Sequence, residues 1–291
     1  MPEREGSRPP AVREVLRAWY GPRRRAYPWR RARPDAFATL VSEVMLQQTQ
    51  APRVAGAFTA FLDRFPDVAS LASAPRADVI RAWEGMGYHG RAVRLHEAAR
   101  AIVRDHGGRV PDDVAALRSL PGVGPYTASA VASIAFGRPV AAVDTNVRRI
   151  TARYLRGVEP DELAPAEVAT LAQGWLDPER PGDWNQALMD LGREVCRPTP
   201  RCPECPLARA CRFRASGRAG RSSTVRQSPF EGSLRQIRGR ALGILRERGS
   251  VREPELLDVL GDPRAAGAVA SLVRDGLAER RRGGRVGLPS G

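Results

Sequence analysis

The chain has 291 residues and a formal net charge of +15, with 47 basic side chains against 32 acidic ones. That length suffices for one large or two modest domains with cores of their own. The charge points to a polyanionic partner, and nucleic acid fits better than membrane, because no apolar run approaches the roughly 20 residues of a span. All 47 basic residues are arginine, so no lysine is present to form a Schiff base.

In chain order, Val12, Val15, Leu16, Trp19 and Tyr20 fall on one helical stripe over 11–20. A loop rich in Arg, Pro and Trp follows, ending Tyr27-Pro28-Trp29-Arg30. From Phe37 the spacing is helical again (Phe37, Leu40, Val41, Val44, Met45) and runs into the polar stretch Gln47-Gln48-Thr49-Gln50. Glu43 and Gln47 project together from the edge of that stripe, where a carboxylate is ordinarily solvated. Amphipathic helices are predicted at 53–64, 76–84, 91–106 and 112–120, with a glycine-jointed aromatic loop, Trp83 to His89, among them.

At 117–146 two short helices meet at Pro121-Gly122-Val123-Gly124, and Asp144 follows about twenty positions later. Glycines there allow positive φ and bare N–H groups, which at a helix N-terminus cradle an anion such as phosphate. Helices at 145–156, 161–176 and 183–195 lead to Cys196, Cys202, Cys205 and Cys211, a C-x5-C-x2-C-x5-C cluster. Clustered cysteines in a reducing compartment indicate metal rather than disulfides. Almost no strand-like alternation precedes residue 220, so this part is read as all-α. Residues 214–230 form a Ser/Gly/Arg-rich linker. Beyond it, helices near 233–248, 253–260 and 263–276 precede a basic hairpin around Gly283-Gly284, which together look like a winged helix.

Ser42-Glu43-Val44-Met45-Leu46-Gln47-Gln48-Thr49, Leu120-Pro121-Gly122-Val123-Gly124, Val143-Asp144-Thr145-Asn146-Val147 and the cysteine cluster occur in the order and spacing of the helix-hairpin-helix DNA glycosylases. The chain resembles that family over about residues 11–212, and its Glu43, Trp29 and Tyr88 segments resemble the adenine-specific branch. The resemblance implies an all-α, two-domain fold with an iron–sulfur cluster loop. Its expected boundaries are 1–29 with 138–213 for the cluster domain, 30–137 for the domain with the hairpin, 214–230 for the linker and 231–291 for the winged-helix-like element. It also implies an enzyme acting on double-stranded DNA with a mispair, whose target base is flipped out of the duplex. A monomer is expected, and a start, MPEREGSRPP, with no apolar signal-peptide core leads us to expect a cytoplasmic, nucleoid-associated protein.

The activity so implied is removal of adenine opposite 8-oxoguanine or guanine, through an oxocarbenium-like state. Glu43 maps to the acid that protonates adenine, a role that needs a raised pKa. Asp144 maps to the anion beside the cationic sugar, held ionised by helix N-cap bonds. Asn146 and Tyr126 map to supporting positions in the catalytic group. Trp29, Arg30, Leu46 and Gln48 map to the adenine pocket, Gln47 and Tyr88 to the wedge at the mispair. Leu120, Gly122, Val123 and Gly124 map to the DNA backbone contact. The four cysteines map to the ligands of a [4Fe–4S] cluster that sets arginines against phosphates; a zinc site is the competing reading.

Tyr126 stands where bifunctional relatives carry the imine-forming lysine, so a monofunctional glycosylase is expected. In two places the chain departs from the family pattern. The first cysteine gap, Arg197 to Arg201, is one residue short, and 231–291 is too short and too helical for the Nudix-like domain that many adenine glycosylases carry. Two alternatives stay open: a thymine or uracil mismatch glycosylase of the same superfamily, and a non-catalytic DNA-binding regulator with a redox cluster.

Overall fold

In the computed structural model residues 9–31, 34–221 and 229–290 are described. Much of the expected linker, and the start of the chain, lie outside these. The helical reading is met by fifteen α-helices among the described residues, and the chain divides into two compact units.

The first unit comprises residues 1–43, 111–119 and 123–225. Helix α1 (Pro9–Tyr20) packs its Val12, Leu16 and Tyr20 stripe against α11 (Pro181–Glu194), and α11 also packs on α8 (Pro125–Phe136) and α9 (Thr145–Thr151). The core closes on Trp175 and Trp184, whose rings meet edge to face with centroids 5.3 Å apart. Helix α7 (Val114–Ser119) pairs with α8, which starts at Pro125, where a missing N–H costs nothing, and stops at Gly137 with φ +66°. Helix α10 (Pro165–Gly174) flanks α9. Beyond α9 the chain winds through a π-helical turn at Ala152–Arg156, where the sequence predicts one helix to 156. The short α12 (Arg212–Ala215) follows the cysteine loop.

The second unit comprises 44–110, 120–122 and 226–291. Its helices are α3 (Ala51–Arg64), α4 (Val68–Ser73), α5 (Arg76–Ala82) and α6 (Gly90–His106). Periodicity alone overlooks α4, one and a half turns long, which is set by a capping box between Asp67 and Ser70. Phe61 and Trp83 pack edge to face in the core. The C-terminal elements are α13 (Leu234–Arg248), β1 (Ser250–Arg252), α14 (Glu253–Leu260), α15 (Ala265–Arg274), β2 (Glu279–Arg281) and β3 (Arg285–Gly287). β3 lies between β1 and β2, antiparallel to both, with Val251 opposite Val286. β1 is too short to show alternation in the sequence. This element shares one apolar core with Ile80 of α5 and Val93 of α6, and Arg246 pairs with Glu84 at 2.9 Å. No helix of the described residues is long and apolar enough to cross a membrane.

Candidate active site

Glu43 lies near the C-terminal end of α2 (Ala36–Leu46), whose first two turns are apolar on most sides. Its side chain is not at a solvated edge: the residue is 5 % exposed. The hydroxyl of Tyr126, the second residue of α8, donates to Glu43 Oε2 at 2.9 Å. Burial dominates its titration and, with the nearby charge of Asp144, pushes the Glu43 pKa up to about 7 against the opposing hydrogen bond from Tyr126 and the charge of Arg30. Tyr126, half-buried, titrates well above its ordinary value through desolvation and the charges of Glu43 and Asp144, and stays a donor.

Asp144 caps α9. Its Oδ1 accepts from the Val147 backbone N–H at 2.7 Å and its Oδ2 from Asn146 Nδ2 at 2.9 Å. Burial raises its pKa and these donors oppose the rise, so the expected cap is present and is outweighed by desolvation. Glu43 accepts from the Tyr126 hydroxyl, whereas Asp144 accepts from both a side-chain amide and a backbone N–H, which leaves Asp144 the better host for negative charge. Asn146 is fixed from its other end by Arg149 Nη2 at 2.8 Å, and the same guanidinium reaches Gly192 O at 2.8 Å and Cys196 O at 2.7 Å. Gly192 is obligatory here, because a Cβ would stand 2.5 Å from that of Asn146. Neither Arg149 nor Gly192 carries a motif that would have exposed it in the sequence.

Arg30 is buried and forms a bidentate pair with Asp190 of α11 at 2.6 and 2.9 Å. Its guanidinium lies 5.4 Å from the Tyr27 ring centroid, and Tyr27 stacks on Trp29 at 4.7 Å. Of the expected adenine-pocket set, Trp29 and Arg30 therefore belong to one braced loop of the first unit, while Leu46 and Gln48 belong to the second.

In the second unit, buried Arg91 gathers the end of α2 and the aromatic loop. It donates to the carbonyls of Val44, Met45 and Gln47, to Thr49 Oγ1, and to the carbonyls of Met86 and Gly87. Sequence reasoning missed it, since an arginine on an amphipathic helix reads as solvated. Around it, Gln48 (φ 58°) and Tyr88 (φ 44°) are the only non-glycine residues with positive φ among those described. Such conformations cost about 1–3 kcal/mol and concentrate where function requires them. Gly122 of the hairpin turn has φ +76°, and Gln47 Nε2 donates to its carbonyl at 3.4 Å. Leu120 and Val123 are buried while Gly124 is exposed.

The four cysteines line one small pocket with Arg153, Phe213 and Pro200. Burial raises the thiols of Cys196, Cys205 (to about 12) and Cys211. Among the described residues no three His, Cys, Asp or Glu side chains converge tightly enough to hold a single ion. Arg153, 1 % exposed in the π-turn, braces the loop. It pairs with Glu159 at 2.8 Å, donates to the carbonyls of Arg197 and Pro198 at 2.6 and 2.8 Å, and lies 3.8 Å from Cys196 Sγ.

Residues 41–177 match the family described as HhH-GPD superfamily base excision DNA repair protein. An adenine DNA glycosylase of Mycolicibacterium smegmatis is 41 % identical over 278 residues, covering 94 % of each chain. The human adenine DNA glycosylase is 44 % identical over 215 residues, which is 70 % of this chain and 39 % of that one. Among solved structures, a thermostable thymine-DNA glycosylase superposes with a TM-score of 0.66 at 30 % identity, covering 72 % of this chain and 97 % of the other. A buried Glu43 bonded to Tyr126, a capped Asp144 and a glycine-turn hairpin thus stand in a chain that belongs to the HhH-GPD superfamily of base excision DNA repair proteins, in the branch of the adenine DNA glycosylases.

Proposed function

We propose that the chain excises adenine mispaired with 8-oxoguanine or guanine from double-stranded DNA, as a monofunctional glycosylase. The carrying observation is Glu43, desolvated until its carboxyl titrates near pH 7 while held by the Tyr126 hydroxyl. A group so poised is protonated in a useful fraction at neutral pH and can donate to a leaving purine at N7. Loss of the protonated base leaves positive charge at C1′ of the sugar. Asp144, with its donors fixed before the reaction, supplies the compensating anion without reorganisation. Asn146 and Arg149 hold that carboxylate in place. Water then adds to the sugar, with Glu43, now ionised, as base. No lysine amine competes for the sugar, since Tyr126 stands where bifunctional relatives carry the imine-forming lysine and the chain has none.

In this reading Trp29, Arg30, Leu46 and Gln48 recognise the flipped adenine, while Gln47 and Tyr88 fill the gap on the opposite strand. The braced Arg30–Asp190 pair makes Arg30 a fixed donor rather than a mobile one. The turn Leu120 to Gly124 receives backbone phosphate. Cys196, Cys202, Cys205 and Cys211 would hold a [4Fe–4S] cluster: four thiol ligands from one compact loop share one pocket, which suits the group by ligand type and number. When bound, the cluster supplies a structural anchor for the loop. The C-terminal order of helix, strand, two helices and a two-stranded ribbon supports a winged-helix reading of 231–291.

The test is single-turnover release of free base from A:8-oxoguanine, A:G, T:G and U:G duplexes. Adenine release lost in Glu43→Gln, with DNA affinity kept, is expected. The thymine-DNA glycosylase likeness is a rival reading, and release of thymine or uracil without adenine would establish it in place of ours.

A further inference from the structure

Within the second unit, the C-terminal element and the 44–110 helices enclose a groove of about 980 Å³. Six arginines line it: Arg53, Arg76 and Arg94 from the helical side, and Arg235, Arg238 and Arg274 from the C-terminal side. Only two acidic residues join them, and both are engaged, Glu97 by Arg76 at 3.4 Å and Asp275 by Arg238 at 2.5 Å. Arg53, Arg94 and Arg274 are exposed and form no ion pair among the described residues. Like charges held around one groove repel unless an anion fills it.

Two further features say which anion. Arg94 lies against the hairpin turn, where a Cβ on Gly122 would come within 2.8 Å of its Cβ, so the charged groove continues from the turn. Gln48 and Tyr88, the two strained non-glycine residues, both line the same groove. We propose that this groove is a second DNA site, in which the arginines of the C-terminal element and of α3 and α6 grip phosphates of the duplex beyond those held by the hairpin. The small C-terminal element thereby extends the DNA footprint by charge alone. The proposal rests on the DNA-repair reading above.

The experiment compares wild type with Arg53→Gln/Arg274→Gln, one substitution in each wall at exposed positions. Equilibrium binding to a mispaired and a fully paired duplex is measured from 50 to 300 mM salt, alongside single-turnover adenine release at saturating enzyme. Each lost phosphate contact lowers the slope of log affinity against log salt by about 0.9. The double variant is expected to lose about 2 from the slope on both duplexes, with the saturated release rate unchanged. An unchanged slope in a variant with a wild-type circular dichroism spectrum overturns the proposal. Weakened binding of inorganic phosphate with no change in DNA slope assigns the groove to a small anion and overturns it as well. The expected slope difference between wild type and variant, found in a wild type that releases no adenine, defeats the proposed activity and leaves the groove standing.

Discussion

Glu43→Gln tests the desolvation of the acid through stability as well as through rate. In the folded chain the Glu43 pKa rises from 4.5 to about 7, so the native state binds this proton more tightly than the unfolded state does. Stability from this group is therefore fully present below pH 4.5, falls as pH rises to about 7, and is flat beyond. The whole fall amounts to about 3 kcal/mol. Glutamine does not titrate. Whatever fixed cost its amide incurs in the buried site, about 1–3 kcal/mol where a polar atom loses its partner, that cost does not vary with pH. Variant minus wild type should accordingly rise by about 3 kcal/mol between pH 4.5 and 7. In calorimetry this is a relative gain of about 6–12 °C in melting temperature for a unit of this size. A difference that stays constant across this pH range would show that Glu43 titrates like a solvated carboxylate, and the proposed acid would lose its physical basis.

Other perturbations follow from the same geometry. Tyr126→Phe removes the donor that lowers the Glu43 pKa, so the alkaline limb of adenine release against pH should move up by about 1, the worth of a hydrogen bond to a charged group. A limb that stays or moves down would contradict the donation. Gly192→Ala forces a Cβ to within 2.5 Å of Asn146, and should lower single-turnover release at least about tenfold with duplex affinity kept; an unchanged rate would separate Asn146 from the chemistry. Arg153→Met frees the carbonyls of Arg197 and Pro198 and leaves Glu159 buried without its partner, a loss of about 3–5 kcal/mol. Iron per chain and visible absorbance should both fall, and full retention of iron would exclude Arg153 as the brace of the loop.

The fold was largely legible because its signals are local. The α1 stripe, the proline start and glycine stop of α8, and the Asp144 cap of α9 are each written within a few residues. Helix α4 and strand β1 were not, since neither is long enough to complete a period. The π-turn at Ala152–Arg156 continues the α9 periodicity without a sequence signature of its own, and within it Arg153 points inward to the cysteine loop.

Of the proposed site, the sequence named the groups proposed to react and not their supports, and the reason is physical. Glu43, Asp144 and Tyr126 are residue types whose chemistry restricts their use, so a motif can carry them. Arg91, Arg149, Arg153 and Asp190 are charged residues on amphipathic helices, and such residues usually face water. Each is instead turned inward by partners 40 or more positions away, three of them buried and Arg149 half-buried: Arg91 reaches Val44, Arg149 reaches Cys196, Arg153 reaches Pro198 and Asp190 reaches Arg30. Three of the four donate to backbone carbonyls, which any sequence supplies, and their side-chain partners Thr49, Asn146 and Glu159 belong to no motif that names the arginine. An arginine fork can satisfy several carbonyls at once where a lysine cannot hold that planar spread. A chain whose cations are all arginine can therefore brace irregular loops such as 85–89 and 197–201 internally. The shortened first cysteine gap is consistent with this, because the carbonyls of Arg197 and Pro198 are held by Arg153 rather than by the length of the loop.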